Sequence, residues 1–313
     1  MNRYSAYFQQ ARRLIGYALL PACLLLLGGC EQADEASYQP QYADRPLQAE
    51  FKANYILGVL PVHNPVRLFE VYGPLVDLLN TLVEDAHFTL EASRNYEEFE
   101  KKLYAGHFDL ALPNPYQTIN ALKHGYRVFG KMADDENFYG IILVRKDSTI
   151  RAIADLKDKA ISFPAATALA ATMLPQQFLH DHGLPITAYQ SRYVGSQESS
   201  IINVYLGNTA AGATWSPPWR AFEKDHPEQA AQLTVRWRTQ SLPNNSLIAH
   251  DDFPQAILKQ VADRLFNLQN SKQGKEILAR IPLSHFEAAT EKTYIPVRKF
   301  IAHFDKTVRH LQE

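Results

Sequence analysis

Two short apolar runs in this chain each lead directly into an Asn-Pro pair, and that repeated junction constrains the fold more than any other feature. Residues 55–60 (YILGVL) precede Asn64-Pro65, and residues 108–112 (FDLAL) precede Asn114-Pro115. Runs of this length bounded by turn residues have the make-up of buried strands. Asparagine is a favoured helix N-cap, and proline at the first helical position gives up only an N–H that no helical carbonyl would have accepted. Each junction therefore predicts a strand that ends where a helix begins. Behind the first, Leu68, Phe69, Tyr72, Leu75, Val76 and Leu79 fall at helical spacing. The second helix is expected to close at Gly125.

The alternation continues along the chain. Strand patterns recur at 88–91, 128–132, 139–145, 160–163, 192–194, 211–215 and 233–238. Helical patterns recur at 96–104, from about Ala166 to His182 before Gly183, and at 198–206 before Gly207. Beyond Leu247 the pattern is briefly strand-like and then mostly helical. Strands alternating with helices imply parallel sheets with helices on both faces, and such sheets bind ligands where strand ends meet helix N-termini.

The first thirty residues read as an address. Arg3, Arg12 and Arg13 form a basic start with no acid before Glu31, an apolar run over 14–27 follows, and it ends in Leu27-Gly28-Gly29-Cys30. This is the layout of a secretory signal, and its last four residues resemble a bacterial lipobox. The expectation is cleavage before Cys30, lipidation of that cysteine, and a periplasmic protein anchored to a bacterial membrane by acyl chains. Of the 2 cysteines, Cys23 would leave with the signal, so a disulfide or cysteine metal site is not expected. Residues 31–50 are polar and proline-bearing, a flexible spacer. With 32 basic against 33 acidic residues, and three of the basic ones in the signal, the remainder is net negative. That argues against nucleic acid as a partner.

A set of ordered motifs then points to a family. Gly58-Val59-Leu60-Pro61 with Asn64-Pro65, Leu68-Phe69 and Pro74-Leu75 opens it. Gly106-His107-Phe108-Asp109-Leu110-Ala111, Tyr139-Gly140, residues 144–148 (VRKDS) and residues 153–159 (IADLKDK) follow in order. Together, over roughly 55–250, they resemble the phosphate/phosphite/phosphonate-binding proteins of ABC transporters, within the type 2 periplasmic binding-protein fold. The resemblance implies an α/β protein of two lobes joined by two hinge strands, lobe 1 being 51–144 plus 247–313 and lobe 2 being 145–246. It implies a monomer that closes on a small ligand and presents it to a membrane permease or sensor, without a cofactor.

The family's anion cradle, a Ser-Thr-Ser-Gly turn at the start of the long second-lobe helix, corresponds here to Ala168-Leu169-Ala170-Ala171, with Thr167 and Thr172 flanking. The hydroxyls are gone, although a helix N-terminus still favours an anion. The candidate ligand residues are His63, Asn64, Asn114, Tyr116, Tyr139, Thr167, Ser196, Trp215, Trp219 and Asn245. Asn64 and Asn114 suit both capping and ligand contact. Tyr139 suits either the core or the cleft. The Trp215-Ser216-Pro217-Pro218-Trp219 segment reads as a rigid turn whose tryptophans form an aromatic wall or seal a core. No nucleophile elbow, phosphate loop or His-Glu-x-x-His helix occurs, so an enzyme is not expected. His180 and His182, at i and i+2, face different sides of a helix and do not suggest a metal. Asp134-Asp135-Glu136 reads as a solvated loop. Two functions fit: solute delivery to an ABC importer, or a ligand-responsive sensor or accessory lipoprotein that acts on a membrane receptor without transport.

Overall fold

The computed structural model describes residues 52–311; the signal, Cys30 and the spacer lie outside them. The first strand, β1 (Ala53–Val59), runs into helix α1 (Pro65–Leu82), whose N-cap Asn64 accepts a hydrogen bond from the Arg67 amide at 3.0 Å. β2 (Ala86–Glu91), α2 (Tyr96–Tyr104), β3 (Leu110–Leu112) and α3 (Pro115–Ala121) follow, then β4 (Tyr126–Met132). At α3, Asn114 and Gln117 satisfy each other's backbone amides reciprocally, both at 3.0 Å. This is a capping box in which two orphan donors are paired before the first helical bond forms.

Two sheets result. The first has the order β11-β4-β10-β3-β1-β2, with β1 parallel to β2 and β3, and with β10 (Ser246–His250) and β11 (Phe286–Ala288) antiparallel to their neighbours. The second has the order β7-β6-β8-β5-β9, from β5 (Tyr139–Arg145), β6 (Ala160–Phe163), β7 (Gln190–Tyr193), β8 (Ala211–Trp215) and β9 (Leu233–Ser241). The chain therefore crosses between sheets twice, at residues 133–138 and 242–245. Strand β5 lies in the second sheet, so the first crossing precedes it. The boundary at 144/145 implied by the resemblance would place β5 in the first lobe, whereas its ladder partners β8 and β9 belong to the second sheet.

The second lobe carries α4 (Leu174–Asp181), α5 (Gln197–Tyr205), α6 (Ser216–Asp225) and α7 (Pro227–Ala230). The first is completed by α8 (Gln255–Phe266), α9 (Lys272–Arg280) and α10 (Ile295–Thr307). The single long helix expected near 166–182 instead begins as a π-helical stretch, Leu169–Met173, with the Ala168 carbonyl accepting from Met173 N five residues on. Trp215-Ser216-Pro217-Pro218-Trp219 is not a turn. It is the end of β8 and the first residues of α6, with the prolines at the helical start where they cost nothing.

The two crossings are braced together, and the acids expected in a solvated loop do the bracing. The Asp135 carboxylate accepts from the Lys131 ammonium at 2.7 Å and from the Asn244 amide at 2.8 Å. Asn244 donates its side-chain amide to Ala133 O, and the Tyr294 hydroxyl donates to Asn244 O. Burial opposes the charge on Lys131, but its bonds to Asp135 and Glu287 outweigh that and hold its pKa above the usual lysine value. Asp134, at φ 61°, binds the Ser284 amide.

One apolar cluster serves both lobes. Phe99, Phe108 and Tyr116 of lobe 1 and Phe300 and Phe304 of α10 pack in the same buried group as Leu169, Ala171, Leu174 and Trp215 of lobe 2. The described residues accordingly form one compact unit. Within lobe 2, Gly140 lets the 168–175 segment lie close on β5: a Cβ there would lie 2.3 Å from Ala170 O and 2.7 Å from Pro175 Cδ. Gly140→Ala must therefore displace backbone, costing about 1–3 kcal/mol. In thermal unfolding the midpoint is expected to fall by roughly 3–10 °C, and an unchanged midpoint would mean that α4 does not pack against β5 this closely.

Candidate functional site

Three spaces lie where the lobes meet. The innermost is bordered by Leu60, Tyr96, Asn114, Phe138, Ala168–Ala171, Gln197, Trp215 and Asn245, and it measures only 10 Å³. That is about the least that admits one water, so no tetrahedral anion fits. Residues 168–171 do the filling: Leu169 is wholly buried, and Ala168, Ala170 and Ala171 are buried beside it. Direct bonds between the lobes surround the filled position. The Asn114 side chain donates to Thr167 O at 3.0 Å, and Gln197 donates to the Tyr96 hydroxyl at 3.2 Å. Glu100 bonds the Thr167 hydroxyl and Gln117, yet burial dominates and raises its pKa. From the segment after α10, Arg309 donates to Ala166 O at 2.6 Å and to Gln176 at 3.2 Å.

Outside this lies a chamber of 60 Å³ whose walls include Val71, Tyr72, Leu112 and Met132 of lobe 1 and Trp215 and Pro217 of lobe 2. Asn245 borders it, and its side-chain oxygen is buried and has no hydrogen-bond partner among the described residues. Farther out is a cavity of 840 Å³, with one wall from each lobe. Its lobe 1 wall is the N-terminal turn of α1 with His63, Asn64 and Arg67, together with Arg94. Its lobe 2 wall is the N-terminal turn of α5 with Ser196 and Glu198, and the end of α6 with Asp225 and His226. Ser196 caps α5 by accepting from the Ser199 amide at 3.0 Å. Two helix N-termini thus border one space, each offering amides and a positive dipole end. Arg67 is engaged by Glu70 at 3.1 Å, and Glu198 lies 3.4 Å from His226. Arg94 is exposed and has no polar partner among the described residues.

His63 stands between the chamber and the outer cavity and lines both. Burial, helped by Arg67 and opposed by Asp225, lowers its pKa to about 4. It is therefore neutral at pH 7, with one ring nitrogen to donate and one to accept.

The ten residues singled out from sequence are not gathered in one place. His63, Asn64 and Ser196 line the outer cavity, His63, Trp215 and Asn245 the chamber, and Asn114, Trp215 and Asn245 the filled position. Thr167 bonds across the lobes, and Tyr116 is buried in the shared core. Tyr139 and Trp219 lie elsewhere, in a groove of 590 Å³ on lobe 2, with the Arg238 guanidinium 5.6 Å from the centre of the Tyr139 ring. Reading the sequence missed Arg67 and Arg94. Arg67 follows the Asn64-Pro65 cap by two residues and could have been placed from it. Arg94, in a loop after β2, carries no local signal.

The family model for the periplasmic substrate-binding proteins of phosphonate ABC transporters matches residues 57–294, well over half of the chain. The chain belongs to this family. A curated relative, the probable ABC transporter phosphite-binding protein PhnD1 of Prochlorococcus marinus, is 24% identical over 192 residues, covering 57% of this chain and 63% of that protein. Among solved structures, a binding-protein component of a phosphonate ABC transporter from Pseudomonas aeruginosa superposes with a TM-score of 0.75 at 15% identity, over 82% of this chain and 88% of that one. The Prochlorococcus PhnD1 structure in complex with methylphosphonate gives 0.74 at 20% identity, over 82% and 99%. At such identities the structural likeness establishes the two-lobed fold.

The depressed pKa of His63 has a consequence for stability. The unfolded chain protonates this ring near 6.5, whereas the folded protein resists protonation down to about 4. Its contribution is therefore complete above pH 6.5 and is lost as pH falls toward 4. The His63→Gln variant should lose less stability than the parent over that interval in denaturant titrations, and parallel pH profiles would contradict the assignment.

Proposed function

We propose that this protein is the solute-binding component of an ABC importer and captures a small oxyanion-bearing solute in the cavity between its lobes. The observation that carries this is the 840 Å³ cavity with a wall from each lobe, into which the capped N-termini of α1 and α5 face beside the unpaired Arg94. Anions are stabilised at such termini by free amides and by the dipole, and an unpaired guanidinium offers a bidentate partner. Cavities of about 300–1,000 Å³ are the usual size for small-molecule sites. The family supplies the role, and the relatives named for phosphite and methylphosphonate supply the ligand chemistry nearest to hand. With the innermost position filled, inorganic phosphate and methylphosphonate are expected to bind weakly here. Lipidation at Cys30 would hold the protein at the periplasmic face of a membrane, beside its permease, with about 0.8 kcal/mol gained per buried methylene of each acyl chain.

A second reading, a ligand-responsive sensor or accessory lipoprotein, draws support from the bonds and shared core that already join the lobes. Transport into vesicles bearing the permease separates the two.

A thermal-shift screen over small organic oxyanions tests the binding itself, since a tight ligand raises the midpoint by mass action. At least one should raise it by several degrees, and Arg94→Gln should weaken that ligand about tenfold, in line with the loss of a charge-assisted bond. If no oxyanion shifts the midpoint, oxyanion capture is wrong.

A further inference from the structure

The groove of 590 Å³ on lobe 2 lies outside the space between the lobes, and α6 separates the two. Pro218 and Ala221 line the outer cavity, whereas Trp219, Arg220 and Glu223 of the same helix line the groove. Its other side is built from β9, with Val235 and Arg238, beside Tyr139 and Ile141 of β5. Two guanidiniums are gathered at one end, and no acid neutralises either. Arg238 lies over the Tyr139 ring, 5.6 Å from its centre. Arg220 donates to the Asn137 side-chain oxygen at 3.2 Å. Asn137 and Tyr139 are two residues apart, so both arginines are tethered to one short stretch of chain. One tether is an aromatic face and the other a neutral amide, and neither arginine forms an ion pair among the described residues. Each guanidinium is thus positioned with most of its N–H donors unused. A third cation, Lys146, stands at the far end. It is five residues along β5 from Ile141, the ladder partner of Arg238, or about 16 Å at the usual strand rise. Glu223, exposed and three residues after Arg220 on α6, is the acid of the lining and has no ion pair among the described residues.

We propose that the Arg220–Arg238 end of this groove is a second binding site, for a small phosphate monoester whose organic part bears hydroxyls. A guanidinium fork matches phosphate oxygens in pairs. Two such forks at one place suit a single group carrying more than one negative charge. A phosphate monoester carries about −1.5 to −2 at pH 7, whereas a carboxylate carries one. The organic part lies along the groove toward Glu223, whose carboxylate accepts from a hydroxyl. The groove's volume falls within the roughly 300–1,000 Å³ usual for small-molecule sites. This site does not depend on the solute in the cleft: α6 stands between them, and Arg94 lines only the cleft cavity.

The test is isothermal titration of the full chain with glycerol 3-phosphate, inorganic phosphate and glycerol. The ester should bind, inorganic phosphate about fivefold more weakly for want of the bond to Glu223, and glycerol not at all. Arg220→Gln and Arg238→Gln should each weaken the ester about tenfold. Both side chains are exposed, so neither change should move the thermal midpoint. Lys146→Gln removes the same charge from the same groove yet should leave the affinity unchanged, which separates a built site from general attraction. Glu223→Gln should bring the ester and inorganic phosphate closer together, and Arg94→Gln should have no effect. Phosphatidylcholine vesicles doped with phosphatidic acid present the same monoester on a lipid. Retention of those vesicles without binding of the soluble ester would mean a membrane contact and overturn a solute site. If neither ester nor phosphate binds, or if Lys146→Gln weakens the ester as much as Arg238→Gln, the second site is wrong. If Arg94→Gln abolishes binding while both groove variants retain it, the ester sits in the cleft, and this inference falls while oxyanion capture stands.

Discussion

The packing of residues 168–174 into the first lobe is the contact on which the rest of the arrangement depends. In a two-lobed binding protein, closure ordinarily waits for a ligand that both lobes prefer to touch. Here an apolar turn takes that place, with Leu169 and Ala171 sharing a buried cluster with Phe99, Phe108 and Tyr116. Burial of this kind contributes about 25 cal/mol per Å² of apolar surface. Around it, Asn114 to Thr167, Gln197 to Tyr96 and Arg309 to Ala166 add bonds that also join protein to protein. The lobes of this family member hold each other, and the solute-sized space lies toward the mouth of the cleft.

The crossings at 133–138 and 242–245 suit such an arrangement. A hinge that must swing tolerates few cross-links, whereas these segments share Asp135, Asn244 and the buried Lys131. Only the lysine of this pair is buried, and removing its acidic partners would leave that charge without its bonds. Rigidity at the crossings and cohesion at the core point to the same consequence: adjustment to a solute is left to side chains at the mouth, such as Arg67 and Arg94.

The sequence was most legible where structure is set locally. Asn64 and Asn114 announced their helices because a cap, a proline and an apolar run lie within a few residues of one another, and both caps form. The order of strands and helices followed from the same kind of signal, and the family's motifs supplied the lobes. What could not be read is non-local. Trp215 and Trp219 look like a pair, but β8 ends at the first and a helix starts at Ser216, so four residues send them to different faces of lobe 2. The missing hydroxyls at 168–171 were plain, yet that their replacement would close the site depends on Tyr96 and Phe138, distant in sequence. Arg94 acquires meaning only because α5 arrives opposite it.

The shared cluster bears on how the chain matures. Its members run from Leu60 near the start of the described residues to Phe300, Phe304 and Val308 near their end. The first lobe is interrupted by the second and completed by α10, so the shared cluster is not finished until the final helix is in place. Contacts of such sequence separation form late. During synthesis the growing polypeptide therefore lacks the last wall of its central core until almost all of it has been made, which favours an extended, pliable state over early compaction. Such a state is what threading through a narrow translocation pore requires.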